Sequence, residues 1–140
     1  MAKPVFLDTA YAIALASASD AYHSKAMQIA NQFEQDGTRL VTTRAVWLEI
    51  GNALSKLQFR HAAIQLLDSL EHDPIVEIIP MTDVIYERAF NLFQNRLDKE
   101  WGLTDCISFV VMQEHGLEEA LTTDEHFSQA GFRALLRGLD

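Results

Sequence analysis

Four acidic residues occupy positions from which their carboxylates could meet in the folded chain: Asp8, Glu49, Asp105 and Asp124. Asp8 and Asp124 each follow a short apolar run of the kind typical of a buried strand, and open α/β sheets bind ligands at the carboxyl ends of their strands. Carboxylates gathered at one edge of a sheet repel one another unless a cation lies between them. Because Mg²⁺ and Mn²⁺ prefer oxygen ligands, the four acids predict a divalent-metal site, which suits in-line attack on a phosphodiester.

Each acid also has an ordinary structural interpretation. Asp8 suits a helix N-cap, Asp124 suits a turn, and Glu49 suits a solvated position at the edge of its helix's apolar stripe. Asp105 opens a helix that is apolar on nearly every side, where the helix dipole stabilises an acid. Since Thr104 can supply the N-cap of that helix, we expect Asp105 to point elsewhere and to be the most enclosed of the four.

The elements that must position these acids alternate between strands and helices along the chain. Apolar runs bounded by turn residues predict strands, and apolar residues repeating every three to four positions predict helices. The predicted strands cover residues 4–7, 39–42, 75–79, 120–122 and 132–136, and the predicted helices cover 10–18, 22–35, 44–57, 61–71, 82–95 and 105–115. This alternation predicts an α/β three-layer sandwich with a mostly parallel sheet. With no repeat or linker visible, residues 1–140 are expected to form one domain.

Composition excludes several classes of protein. The net charge of −9 has the wrong sign for holding nucleic acid by charge alone, and it suits a cation site or a basic partner. No apolar run approaches the ~18 residues of a membrane span and no signal peptide is visible, so we expect a cytoplasmic protein. Cys106 is the only cysteine, which excludes intramolecular disulfides. The five histidines show no H-x-x-x-H spacing, which favours surface or packing roles for them.

Four segments of the sequence resemble, in order and spacing, the PIN-domain ribonucleases. They are V-F-L-D-T at residues 5–9, W-L-E-I-G-N-A-L at 47–54, L-T-D-C-I-S-F at 103–109 and L-T-T-D-E-H-F at 121–127, with A-G-F at 130–132 as a fitting ending. Each segment is weakly specific alone, but the four in this order are fairly specific. The resemblance extends over nearly the whole chain. The size is most similar to the VapC-like toxins of bacterial toxin–antitoxin pairs.

The resemblance implies a Mg²⁺-dependent endoribonuclease that cleaves single-stranded RNA, with Mn²⁺ as a possible substitute. It further implies inhibition by a small antitoxin and assembly as a homodimer. Asp8, Asp105 and Asp124 would hold the principal metal. Glu49 would help to hold a second ion or orient the attacking water.

Other residues enter as supporting candidates. Thr9 and Ser108 are expected to hydrogen-bond the carboxylates. Lys56, seven positions after Glu49 on the predicted helix face, is a candidate contact for the RNA backbone. One departure concerns Ala10, because the family often has a polar residue there, two positions after the first acid.

The predicted partner surface is an apolar groove beside helices 22–35 and 44–57, with Phe33, Trp47 and Phe59 as its large side chains. Two alternatives stay open: a catalytically weak PIN-fold binding or scaffold module, and an RNA-processing nuclease that is not a toxin. A receiver-type phosphoacceptor is set aside because Pro80-Met81 follows the third strand instead of an acid.

Overall fold

The computed structural model describes residues 3–137, which form a parallel sheet flanked by helices. The elements are β1 Val5–Leu7, α1 Thr9–Ala16, α2 His23–Asp36, β2 Leu40–Thr43, α3 Arg44–Ala53, α4 Leu57–Glu71, β3 Val76–Ile79, α5 Asp83–Asn95, α6 Leu103–Glu114, β4 Glu119–Leu121, α7 Glu125–Gln129 and β5 Arg133–Ala134. The strand order is β3-β2-β1-β4-β5, and each pairing is parallel. The predicted α/β fold is confirmed.

The central strand β1 is buried at every residue, and Phe6 and Leu7 have no exposed surface. A wholly apolar strand of this kind belongs in the middle of a parallel sheet, where helices cover both faces. β2 pairs with one edge of β1 and β4 with the other, so the chain reverses its direction across the sheet at β1. Such a reversal opens a crevice beyond the carboxyl ends of the two strands. Asp8 follows β1 and Asp124 follows β4 by three residues, so both acids border this crevice.

The helices pack in two groups. α1 contacts α2, α3 and α4, whereas α5 lies along α6. Seven consecutive residues of α6, from Cys106 to Met112, are buried, as its apolar composition predicts. Hydroxyl caps begin two helices: Thr43 accepts a hydrogen bond from the Val46 backbone N–H, and Thr82 accepts one from Ile85.

The predicted helix 44–57 is wrong at its carboxyl end. α3 stops at Ala53, and the extended backbone of Lys56 begins a second helix, α4, at Leu57. Leu57 was expected in the apolar stripe but is 89% exposed, while Leu54 is buried in its place. Gly51 and Asn52 are weak helix formers in the last turn, which explains why the helix ends there.

Further differences from the predictions concern α6, the fifth strand and α7. α6 begins at Leu103 instead of residue 105, and the fifth strand covers only Arg133–Ala134. The short helix α7 after Asp124 was not predicted, because one turn is too short to show a periodic pattern. Among residues 3–137, no helix has both the length and the apolarity to cross a membrane.

Candidate metal centre

Asp8 and Asp124 lie at the same edge of the sheet because their strands are neighbours. Phe6 pairs with Ala120 in the sheet, and the Asp8 backbone N–H donates to the carbonyl of Leu121. Asp8 is the N-cap residue of α1, but its side chain makes no capping hydrogen bond there. Oδ2 instead accepts a hydrogen bond of 2.7 Å from the hydroxyl of Thr122, so the carboxylate turns toward the end of β4.

Asp8 is the most enclosed of the four acids. The residue is 7% exposed, whereas the side chain of Asp105 is 19% exposed and that of Asp124 is 36% exposed. Burial raises the pKa of Asp8 from 3.8 to about 7, and the charges of Glu49 and Asp105 add to the rise while the Thr122 hydroxyl opposes it. The prediction that Asp105 is the most enclosed acid is therefore wrong. A strand end in the middle of the sheet excludes more water than the first turn of a helix.

Asp105 makes two contacts, and one of them caps α6, the role that was predicted for Thr104. Gly102 is the N-cap residue of α6, and its backbone N–H donates a hydrogen bond of 3.0 Å to Asp105 Oδ2. The capping carboxylate is thus Asp105 itself. Its Oδ2 also lies 3.1 Å from Nδ1 of His126, which ties α6 to α7. The capping role and a place in the acidic cluster coexist in one side chain.

Glu49, in α3, is linked to the other acids by a hydrogen bond with Thr9, the residue after Asp8. The Thr9 hydroxyl donates a short hydrogen bond to Glu49 Oε1. Thr9 is buried while Glu49 is exposed, so Glu49 forms the open rim of the site. Its charge still acts on Asp8, whose pKa it helps to raise.

Ser108 does not make the hydrogen bond that the sequence reasoning gave it. Its Oγ is fully buried, and among residues 3–137 it has no hydrogen-bond partner. Ser108 lies one turn after Asp105 in α6. A buried hydroxyl without a hydrogen-bond partner lowers the stability of the fold. A water molecule or ligand that reaches Ser108 Oγ would supply the missing hydrogen bond.

Lys56 does not share a helix face with Glu49, because α3 ends before it. Its side chain is exposed at the start of α4. The geometrical argument for an RNA contact by Lys56 is therefore wrong, although exposure leaves the side chain accessible.

The hydrogen bonds around the four acids follow one pattern. Each acid has one oxygen held by a donor of the protein: Asp8 Oδ2 by Thr122, Glu49 Oε1 by Thr9, Asp105 Oδ2 by Gly102, and Asp124 Oδ1 by the His126 backbone. Each acid thus has one oxygen whose orientation is fixed by a donor of the protein. Outer hydrogen bonds of this kind are what orient carboxylate ligands in metal sites.

The donor set fits a divalent cation. Asp105, Asp124 and His126 each offer a ligand atom within 4.8 Å of the others. Carboxylate oxygens dominate the set, which is the chemistry of Mg²⁺ and Mn²⁺ sites. Burial is the main cause of the raised pKa of Asp8, and the charges of Glu49 and Asp105 add to it, so a nearby cation would favour the ionised form of Asp8.

Two residues of the site were missed by the sequence reasoning. Thr122 is fully buried; its hydroxyl donates to Asp8 and accepts from the Asp124 backbone N–H. His126 was assigned to surface or packing roles, yet its ring lies against two of the acids. The only signal in the sequence was that His126 follows Asp124 by two residues. This spacing places the imidazole ring beside the carboxylate only because α7 begins between them.

Thr122→Val tests whether the hydroxyl supports the buried acid. Valine keeps the shape of threonine but leaves Asp8 Oδ2 without its donor, so the free energy of unfolding at pH 8 should fall by about 1–3 kcal/mol. Urea denaturation without metal measures the change. Thr122→Ser, which keeps the hydroxyl, is the control and should lose less. Equal stability of the valine variant and the wild type would contradict this role for Thr122.

Comparisons with known proteins agree with this architecture. The family model of the PIN domain matches residues 5–133. The 23S rRNA-specific endonuclease VapC20 of Mycobacterium tuberculosis is 27% identical over 128 residues, which cover 91% of this chain and 95% of the relative.

Solved structures give the same result. The crystal structure of M. tuberculosis VapC20, described as a Sarcin-Ricin loop cleaving toxin, superposes with a TM-score of 0.79 at 26% identity, covering 91% of this chain and 95% of that one. FitAcB from Neisseria gonorrhoeae shares the fold with a TM-score of 0.63 at 16% identity, over 93% and 94% of the two chains. The family match spans far more than half of the sequence, and the protein therefore belongs to the PIN-domain family of nucleases.

Proposed function

We propose that this protein is a Mg²⁺-dependent endoribonuclease that cleaves single-stranded RNA and serves as the toxin of a toxin–antitoxin pair. One observation carries the proposal: Asp8 is a carboxyl buried so deeply that its pKa rises to about 7, and the charges of Glu49 and Asp105, from two other elements, add to that rise. A protein tolerates such a group where function requires it. The similarity to VapC20, an RNA endonuclease, supports RNA as the substrate.

The four acids divide the work by position. Asp8, Asp105 and Asp124 would hold the principal cation through their free oxygens, and Glu49, at the exposed rim, would hold a second ion or orient the attacking water. The bound cation supplies Lewis-acid stabilisation of the charge that develops on the phosphate and lowers the pKa of a water molecule. Thr122 and Thr9 keep Asp8 and Glu49 in place through their hydroxyls.

RNA binding must overcome the net charge of −9. We expect the cation and a few local basic side chains to supply the attraction, because the protein as a whole repels phosphates. Arg137 is one such side chain, since it is exposed and donates to the carbonyl of Thr123 beside Asp124. Lys56 is a second, weaker candidate on account of its exposure.

An antitoxin partner fits the apolar surface around α4. A cavity of about 340 Å³ between α1, α2 and α4 is lined by Tyr11, Phe33 and Leu70, among others. A second cavity, of about 270 Å³, lies beside Trp47 and Ile64 at the junction of α3 and α4. These surfaces include Phe33 and Trp47 of the predicted groove, and apolar surfaces of this kind suit the aromatic and aliphatic anchors of a partner chain.

We further propose that the protein forms a homodimer, is located in the cytoplasm and folds as a single domain over residues 1–140. The α5 surface offers apolar area for self-association, because Tyr86, Phe90 and Phe93 form an exposed aromatic row with ring centroids 6.0 and 6.4 Å apart. Exposed apolar patches of this kind mark interaction sites on proteins.

Cleavage of a labelled single-stranded RNA tests the proposed function. We expect cleavage with Mg²⁺ or Mn²⁺, none with EDTA, and recovery when Mg²⁺ is restored in excess. An RNA-binding protein that never cleaves under these conditions would instead be the scaffold module. Cleavage without growth arrest on expression in a bacterial host would indicate an RNA-processing nuclease in place of a toxin.

A further inference from the structure

His126 connects two acids that belong to different helices. Its Nδ1 lies 3.1 Å from Asp105 Oδ2 and 3.3 Å from Asp124 Oδ1. Its backbone N–H also donates to Asp124 Oδ1 at 2.9 Å. The side chain is 28% exposed, so the ring lies at the wall of the site and not in the core.

The two carboxylate oxygens beside Nδ1 indicate whether this nitrogen carries a hydrogen. A ring nitrogen without hydrogen would direct its lone pair at two carboxylate oxygens, which is repulsive. We therefore assign the hydrogen to Nδ1 from its hydrogen-bond partners. With its hydrogen on Nδ1, the ring keeps a lone pair only on Nε2, so the nitrogen that faces the two acids donates to them and does not bind the cation.

We propose that His126 is a positioning residue whose Nδ1–H bridges Asp105 and Asp124 and fixes which of their oxygens face the cation. The inference rests on the proposed metal site. Asp105 Oδ2 accepts from both Gly102 and His126, which occupies that oxygen and leaves Oδ1 to the site. Without the ring, only the Gly102 N–H would hold Oδ2, and the carboxylate of Asp105 would be less firmly oriented.

The fold does not depend on this contact. The indole N–H of Trp101 donates to Gln129 Oε1 at 3.1 Å, and this bond ties the end of α7 to the segment before α6. Phe127 is fully buried, and its ring packs against Phe109 of α6 and Phe6 of β1. Because these contacts hold α7 in place, substitutions at His126 should alter the site while α7 stays packed.

Manganese binding, measured by electron paramagnetic resonance of free Mn²⁺, tests the inference without reference to activity. His126→Gln moves the amide away from the Nδ1 position, and we expect the Mn²⁺ dissociation constant to rise about 10–100-fold, as for other outer partners of metal ligands. His126→Asn places an amide N–H close to the Nδ1 position and should bind nearly as the wild type does. His115→Gln is the control, because His115 Nδ1 contacts the Val111 carbonyl at the other end of α6.

The outcomes separate this inference from the proposed function. A wild type that binds no Mn²⁺ would remove the metal site itself, and the inference with it. A wild type that binds, with both His126 variants equal to it or both equally weakened, would overturn only the Nδ1–H bridge.

Discussion

Asp8→Asn, Asp105→Asn and Asp124→Asn will each lower Mg²⁺-dependent RNA cleavage by more than about a hundredfold, since even the outer partners of metal ligands contribute about 10–100-fold. Each substitution removes one charge and one strong ligand from a shared site. Single-turnover cleavage at saturating Mg²⁺ measures the effect. Double variants should lose little beyond the single ones, because residues that act as a unit are not additive.

Asp83→Asn provides the matched control for these variants. Asp83 is an exposed acid in the first turn of α5, outside the cluster. The Asp83→Asn variant should cleave RNA at the same rate as the wild type. Near-normal turnover by one of the three site variants would remove that acid from the metal site, and independent, multiplicative losses would argue against a shared ion.

Asp8→Asn will also stabilise the metal-free protein at pH 8. The pKa of Asp8 is about 7 in the folded chain against a model value of 3.8, so the folded state holds a proton that the unfolded state has lost between these values. Stability therefore falls as pH rises from about 4 to 7, and the full penalty, up to about 4 kcal/mol, applies above pH 7. Asparagine carries no charge and escapes that penalty.

Urea denaturation in EDTA at pH 4 and pH 8 measures this difference. We expect the variant to exceed the wild type at pH 8 and nearly to match it at pH 4, where Asp8 is protonated in the folded state and close to half protonated in the unfolded state. Saturating Mn²⁺ should reverse the order, because a cation that binds the folded wild type stabilises it and the variant binds poorly. A variant that is less stable than the wild type at both pH values would show that Asp8 is not a strained acid.

Asp105 was expected from the sequence to be the most enclosed acid, but the structure makes Asp8 the suitable acid for this stability test. Asp105 Oδ2 caps α6 through Gly102 and contacts His126, so its charge has favourable partners. Neutralising Asp105 would weaken a helix start as well as relieve repulsion, and the two effects oppose each other.

The sequence was sufficient for the arrangement of the main elements because periodicity and strand ends are local signals. Asp8 and Asp124 could be placed at one sheet edge from their apolar runs, and Asp105 from the start of an apolar helix. The break between α3 and α4 was missed because the apolar stripe appeared to continue to Leu57. Only packing shows that Leu54 takes the buried position instead.

The hydrogen bonds that organise the site could not be predicted in the same way. Thr122 and Asp8 are 114 residues apart, and no local pattern shows which hydroxyl at the end of β4 turns toward β1. The contact of His126 with Asp105 depends on α7, a single turn whose direction is set by the burial of Phe127. Such partners follow from tertiary packing and not from spacing.

Anomalous diffraction from a crystal of the wild type soaked in Mn²⁺ tests the shared metal site most directly. We expect a peak among Asp8, Asp105 and Asp124 at coordination distances of about 2.0–2.6 Å from their oxygens, with Glu49 bordering the same density. The peak should vanish in Asp8→Asn crystals treated identically. A fully soaked wild-type crystal with no peak among these acids, or with its only peak elsewhere, would contradict the account.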